Sequence, residues 1–280
     1  MTRPFLVLAL LLALFVPARG EERIVSLAPA ITESLFALGE GGSVVGVTDF
    51  DVSPEEVLSL PRVGGYLDPS LERILALRPT LVVGTVTFHA ELLRRLEELK
   101  IATLTLSLHQ GLEEVGKALL SLGRSLGREE RALALVEAID TRLDELGRRV
   151  AERFGGHPPS LLVVVWTDPL TIAGGSNYLD DILDRIGVPN AAGGIVYTFP
   201  QVDREKVLAL DPDIVVVARA SRGMTIRSED FIELFRGIPL RAIARGAVVE
   251  LPADILFHPG PGVALAAEEI VTMIEARREP

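Results

Sequence analysis

Apolar positions along this chain alternate between short unbroken runs of β-branched residues and longer stretches with helical spacing. The first run, Arg23-Ile24-Val25-Ser26-Leu27, passes through Ala28-Pro29 into a helical pattern over 30–38 that Gly39 stops. Strand-like runs follow at 44–47, 81–83 and 102–106, with amphipathic segments at 55–60, 71–77 and 90–99 between them. The second half repeats the rhythm, with buried runs at 161–165, 213–217 and 247–251 and helical segments at 178–186, 205–210 and 264–277. Strands alternating with helices in this way predict an α/β lobe with a mainly parallel sheet in each half.

Between the halves the pattern changes. Residues 111–154 are almost all helix formers without proline, and Gly123 and Gly127 suggest one interruption. The stretch 128–154 predicts a single helix about 40 Å long at 1.5 Å per residue. Gly155-Gly156-His157-Pro158-Pro159 ends it. No sustained heptad supports a coiled coil, so a rigid connector between two lobes is the better reading.

The two halves also share a segment. Leu71-Glu72-Arg73-Ile74-Leu75-Ala76-Leu77-Arg78-Pro79-Thr80-Leu81-Val82-Val83 parallels Arg204-Glu205-Lys206-Val207-Leu208-Ala209-Leu210-Asp211-Pro212-Asp213-Ile214-Val215-Val216. Each is a short helix with a glutamate near its start, then Leu-x-Pro, then a buried strand. The offset is far longer than a solenoid period, which points to duplicated lobes.

The N-terminus stands apart. Arg3, an apolar run from Phe5 to Val16 and Pro17-Ala18-Arg19-Gly20 read as a cleavable export signal, too short for a permanent membrane anchor. The expected organisation is a signal over 1–20, an N-terminal lobe over 21–126, a connecting helix over 127–156 and a C-terminal lobe over 157–280. The processed chain is expected to be periplasmic and monomeric, without membrane insertion. The chain has no cysteine, which removes disulfides, thiolate metal sites and a lipid-modified N-terminal Cys. A formal charge of −11 argues against nucleic acid and anionic membrane surfaces, which bind through basic patches.

Val25-Ser26-Leu27-Ala28-Pro29-Ala30-Ile31-Thr32-Glu33, Val45-Gly46-Val47-Thr48, the segment from Leu71 to Val83 and Phe199-Pro200-Gln201-Val202-Asp203-Arg204-Glu205 occur in an order with a resemblance of its own. Together they resemble the cobalamin, haem and iron-siderophore receptors of bacterial ABC importers, over nearly the whole chain from Arg23. Pro259-Gly260-Pro261-Gly262 is similar to that family's Arg-Pro-Gly-Pro-Arg turn, and Leu-Glu-Arg-Ile with Pro-Gln-Val-x-Arg-Glu is most similar to the cobalamin receptors. The resemblance implies two Rossmann-like lobes joined by one long rigid helix that open only slightly, with a corrinoid or other metal chelate as cargo and no intrinsic cofactor. It also implies delivery to a permease dimer, with Glu72 and Glu205 docking onto permease arginines.

In open α/β sheets ligands bind beyond the carboxyl ends of the strands. The residues expected there are Pro29, Phe50, Tyr66 and Phe88 in the first lobe, in and around loops at 48–51 and 85–89. In the second lobe they are Trp166, Tyr197, Phe199, Arg222, Asp254, Phe257 and His258. Several of the scarce aromatics fall in this set, and flat faces on both lobes suit a broad planar ligand. Trp166 and Phe257 have the alternative of capping the core; Phe50, Tyr66 and Phe199 match ligand-contact positions of the resembled family. Glu72 and Glu205 have the alternative of stabilising a helix N-terminus.

Of the four histidines, His157 falls in the linker turn, His109 is assigned no role, and His89 and His258 sit at strand ends of opposite lobes. Either of the latter is a candidate axial ligand to cobalt or haem iron, or an ordinary surface histidine. Free-metal reception is the weaker alternative, because the histidines and carboxylates show no converging ligand spacing. A secreted α/β hydrolase is weaker still: no Gly-x-Ser-x-Gly elbow, His-Glu-x-x-His or phosphate loop is present. Asp180-Asp181 reads as the solvated face of an amphipathic helix.

Overall fold

The computed structural model describes residues 22–108, 110–219 and 226–277. The N-terminal lobe comprises β1 (Ile24–Ser26), α1 (Pro29–Ala37), β2 (Val44–Gly46), α2 (Leu71–Ala76), β3 (Leu81–Thr85), α3 (Val86–Glu98) and β4 (Ala102–Leu106). Two helices follow, α4 (Leu112–Ser125) and α5 (Glu129–Phe154). The C-terminal lobe contains β5 (Leu161–Thr167), β6 (Leu170–Ile172), α6 (Tyr178–Arg185), α7 (Arg204–Leu210), β7 (Ile214–Arg219), α8 (Ser228–Leu234), α9 (Arg241–Ala244), β8 (Val248–Pro252), α10 (Ala253–Phe257) and α11 (Val263–Ala276).

Each lobe is built on a four-stranded sheet, ordered β2-β1-β3-β4 in the first and β6-β5-β7-β8 in the second. The first is wholly parallel; in the second only the short edge strand β6 runs antiparallel, against β5. Both faces of the first sheet are covered, so successive residues of one strand enter different cores. Ile24 and Val83 pack under α1, whereas Val25 and Val82 pack with Ile74, Leu93 and Leu96 of α2 and α3. Burial on both faces explains why these strands read as continuous apolar runs.

The duplicated segment occupies equivalent places, α2–β3 and α7–β7. Ser70 caps α2 by accepting from the Arg73 amide, and Asp203 caps α7 by accepting from the Lys206 amide. Arg78 and Asp211 both adopt the left-handed conformation, at φ 48° and 38°, immediately before Pro79 and Pro212. Proline disfavours a helical residue before it, so both helices stop at the same step.

The expected long helix is present as α5, with 26 residues and Gly155 at φ 59° closing it in the left-handed conformation. The interruption lies at Gly127 alone. Gly123 instead sits inside α4, where a Cβ would come within 2.4 Å of the Ala132 Cβ; its bareness lets α4 and α5 touch. Nor is α5 a free strut. Ala132 belongs to the N-terminal core, while Ile139, Leu143, Leu146 and Val150 belong to the C-terminal core. Arg142 and Arg149 also pair with Glu268 and Glu275 of α11. Helix α4 straddles the lobes as well, with Val115 and Leu119 in one core and Ala118 and Leu122 in the other.

Three local readings change. Segment 55–60 is a 3-10 turn over Glu55–Ser59 rather than an amphipathic helix. The 85–89 loop is the first turn of α3, and 254–258 is mostly α10, because helix starts directly where β3 and β8 end. Asp181 is exposed on α6, as its place on an amphipathic helix predicts, and its carboxylate also accepts from the Leu112 amide at 2.7 Å, which satisfies the start of α4. No described helix is long and apolar enough to cross a membrane. The expected export signal over 1–20, His109 and Arg222 lie outside the described residues.

Candidate functional site

The residues at issue lie where the strands of both sheets end. In the first lobe Pro29 is the first residue of α1, buried directly after β1. The loop after β2 is tightened by Asp51, whose Oδ2 accepts from the Thr48 amide at 2.8 Å and the Thr48 hydroxyl at 2.5 Å. Burial raises the Asp51 pKa above the ordinary carboxylate value, against the pull of the Thr32 and Thr48 hydrogen bonds and the Arg62 charge. This turn sends Phe50 outward, 44% exposed.

Tyr66 and Phe88 meet edge to face, with centroids 5.1 Å apart and planes at 62°. Phe88 is 46% exposed, so part of its ring is open to solvent. Tyr66 is half-buried; burial raises its phenol pKa above 10.0, while a Thr85 hydrogen bond opposes the shift.

His89 does not face solvent. It is fully buried, and Thr85 donates its amide to Nδ1 at 2.9 Å. Nδ1 therefore accepts, so Nε2 carries the proton and donates to the Tyr66 carbonyl at 2.7 Å. Both nitrogens are consumed, which removes His89 as an axial ligand. Its pKa is lowered by burial, opposed by the bond to Tyr66, and the ring is held neutral. Position alone pointed to the strand end; the first turn of α3 rotates the ring inward, where Gly84 leaves it room.

In the second lobe Phe199 and Phe257 meet at a right angle with centroids 5.9 Å apart. Phe199 is 38% and Tyr197 71% exposed, whereas Phe257 is partly buried against the core. The loop carrying Tyr197 and Phe199 lies directly on Gly174-Gly175: a Cβ would come within 2.1 Å of the Tyr197 carbonyl and 1.9 Å of the Gly193 carbonyl, respectively. Trp166, near the end of β5, packs partly on the core and donates Nε1–H to the Asp168 carbonyl at 2.6 Å. It thus combines the core-capping reading with a place at the strand end. Asp254 lies in the first turn of α10, and that helix is tied down by Tyr178, whose hydroxyl donates to the Leu256 carbonyl at 2.6 Å.

The lobes touch at this end. His258 donates Nδ1–H to Glu33 Oε1 at 2.8 Å, and Gly260 packs so closely on α1 that a Cβ would lie 3.0 Å from the Ala30 carbonyl. Glu33 belongs to the quoted motif but carried no expected role. The available signal was an acid within the otherwise weakly polar segment Pro-Ala-Ile-Thr-Glu-Ser-Leu-Phe-Ala.

Glu72 and Glu205 are the second residues of α2 and α7 and are exposed. Neither enters an ion pair among the described residues, so both charges face outward. Among the described residues no group of three His, Cys, Asp or Glu side chains is placed to hold a metal ion. The free-metal reading gains nothing from the geometry.

Comparison with known proteins gives this arrangement a context. A vitamin B12-binding protein of Salmonella typhimurium is 29% identical over 263 residues, covering 94% of this chain and 93% of that protein. The ABC transporter substrate-binding lipoprotein YvrC of Bacillus subtilis is 26% identical over 257 residues, covering 90% of this chain and 80% of that one. Among solved structures, a periplasmic haem-binding protein from Pseudomonas aeruginosa superposes with a TM-score of 0.81 at 28% identity, covering 92% of this chain and 94% of its own. The sequence profile of the family described as periplasmic binding protein matches residues 24–255. With that match spanning most of its length and two parallel-sheet lobes meeting at their strand ends, the chain belongs to the periplasmic binding protein family.

Proposed function

We propose that this chain is the substrate-binding protein of an ABC importer and that its cargo is a corrinoid or another metal chelate, such as haem or a ferric siderophore. The observation that carries the reading is the presence of one edge-to-face aromatic pair on each lobe, Tyr66–Phe88 and Phe199–Phe257, both at the strand ends and each with a ring left substantially exposed. Such rings offer edges and faces to a broad π system from both sides. The relatives that bind vitamin B12 and haem support the same cargo class. The chain binds and catalyses no reaction itself; ATP hydrolysis belongs to the transporter. Glu72 and Glu205, one per lobe, address a two-fold permease, for which paired charges set register and encounter rate. The working location is the periplasm, the working state a monomer, and the metal arrives with the cargo.

The chain has one tryptophan, Trp166, at the end of β5, and that makes a direct test. Its fluorescence is followed while cyanocobalamin, haemin and ferric chelates are titrated into the purified protein. Saturable quenching by one of them, at a one-to-one ratio, is expected. No saturable response to any of the three would remove the cargo class.

A further inference from the structure

We propose that Glu33 and His258 form a charged clasp that holds the two lobes at a fixed separation, and that the clasp loosens when the imidazole loses its proton. The inference concerns the apo chain and stands apart from the identity of the cargo.

The two residues are separated by 225 positions and belong to different lobes, yet their side chains meet at 2.8 Å. Both are largely buried, with 14% and 17% of side-chain area exposed for His258 and Glu33, so solvent screens the pair less than a surface bridge. The surroundings are built for the contact. Gly260 and Gly262 precede α11, and a Cβ on Gly262 would lie 3.6 Å from Glu33 Oε2. The carboxylate therefore sits between the imidazole and the N-terminus of a 14-residue helix, where partial positive charge favours an anion. Gly260, pressed on the Ala30 carbonyl, keeps the two elements at that distance.

Charges reach His258 from every side of the interface. Glu33 comes from α1, Asp254 from α10 and Asp51 from the loop after β2, and all three are acids. Arg62 lies beside Asp51, but its guanidinium donates to the Thr48, Asp51 and Val57 carbonyls. Burial opposes the imidazolium, but the Glu33 hydrogen bond and the charges of Glu33, Asp254 and Asp51 outweigh it and raise the His258 pKa above 6.5. The sign follows from linkage. Because the folded value lies above the unfolded one, the stabilisation is complete below the unfolded pKa and is lost as pH rises through the folded value. A neutral imidazole keeps one proton and can still donate it, so the hydrogen bond weakens rather than vanishes. What the interface loses is the one positive charge that faces Glu33, Asp254 and Asp51 together, Arg62 acting on Asp51, and repulsion among the acids then acts across the lobe boundary.

The absence of cysteine makes the test clean. Ala90→Cys on α3 and Ala209→Cys on α7 place one exposed label on each lobe. Nitroxide–nitroxide distances are measured on this labelled full-length processed protein, without ligand, at pH 6 and pH 9. A narrow distribution at pH 6 that lengthens or broadens at pH 9 is expected. Adding Glu33→Gln or His258→Gln, which keep polarity but not charge, should give the broad distribution at both pH values. In parallel, the His258 imidazole is titrated by NMR; its midpoint should lie above 6.5 and fall in Glu33→Gln. Distances unmoved by pH, or an imidazole midpoint indifferent to Glu33→Gln, overturn the proposal. The pH series on the parent alone decides the matter if a variant does not fold. Cargo titrations play no part in either readout, so failure of the cargo reading and failure of the clasp are separable.

Discussion

The His89 imidazole and the Tyr66 backbone carbonyl are joined by a 2.7 Å hydrogen bond inside the first lobe, and Tyr66 in turn stacks edge-on against Phe88. A buried histidine thus fixes the loop that presents an exposed aromatic ring. His89→Ala removes the hydrogen bonds to the Thr85 amide and the Tyr66 carbonyl, at about 1–3 kcal/mol for a buried polar group left unsatisfied. Calorimetry should show a lower Tm, and cargo should bind more weakly because Tyr66 is no longer held. The pH dependence has the opposite sign to that of the interlobe pair. The folded pKa of His89 is depressed by burial, so its contribution is complete above the unfolded value of about 6.5 and is lost as pH falls toward the folded one. Urea titrations from pH 7.5 to pH 5 should show stability falling in the parent, with a smaller fall in His89→Ala.

The aromatic pairs predict where affinity resides. Phe88→Ala and Phe199→Ala each remove a partly exposed ring whose loss leaves the core intact. Each should weaken cargo binding about tenfold to a hundredfold, or ~1.4–2.8 kcal/mol, with little change in Tm. Isothermal titration together with thermal melts checks both halves of that statement. Phe257→Ala should cost stability as well, since its ring also packs on the C-terminal core.

Gly175→Ala should damage the second lobe's contribution without touching an aromatic. The added methyl would occupy space 1.9 Å from the Gly193 carbonyl, so the 193–199 loop must shift. Overpacking of this kind costs about 1–3 kcal/mol. Thermal melts should fall accordingly, and cargo affinity should drop because Tyr197 and Phe199 ride on that loop. Gly194→Ala, where a Cβ would meet nothing within 4 Å, is the control and should be close to neutral.

Glu72 and Glu205 predict a separation of binding from delivery. Glu72→Arg with Glu205→Arg should lower stimulation of transporter ATPase by about tenfold or more, consistent with the size of electrostatic effects on protein association. Cargo affinity should remain at the parent value, since neither residue belongs to an aromatic pair. Normal transport by the double variant would remove the docking role. Ser70→Ala, which removes the cap of α2 but leaves Glu72, should cost about 1 kcal/mol in stability and little in delivery.

The particular elements show why some features were legible in the chain and others were not. Strands β3 and β7 are buried on both faces over most of their length, so apolarity is unbroken along Leu81–Val83 and Ile214–Ala218 and the runs announce themselves. The left-handed residues Arg78 and Asp211 sit before prolines, and a proline acts on its immediate neighbour. By contrast, β6 has three residues and α9 four, too short for a period to emerge from the sequence. Gly123 looked like a helix breaker because a missing side chain reads the same whether it ends a helix or admits a neighbouring one. The candidate site divides in the same way. Phe50, Tyr66, Phe88, Tyr197 and Phe199 could be placed at strand ends from topology, but their pairing could not be read from spacing.

From the amino-acid sequence alone came the two α/β halves, their duplicated helix–proline–strand unit and the long helix closed by Gly155, because each depends on periodicity or on residues a few positions apart. The tertiary structure decided the rest: that α5 lies against the C-terminal core along most of its length, that His89 turns inward and that Glu33 finds His258 in the other lobe. Those outcomes turn on which surfaces packing brings together, at separations from 23 residues for His89 and Tyr66 to 225 for Glu33 and His258. Hydrophobic period fixes the face a side chain occupies on its own element, whereas its partner is chosen by the packing of that element against another.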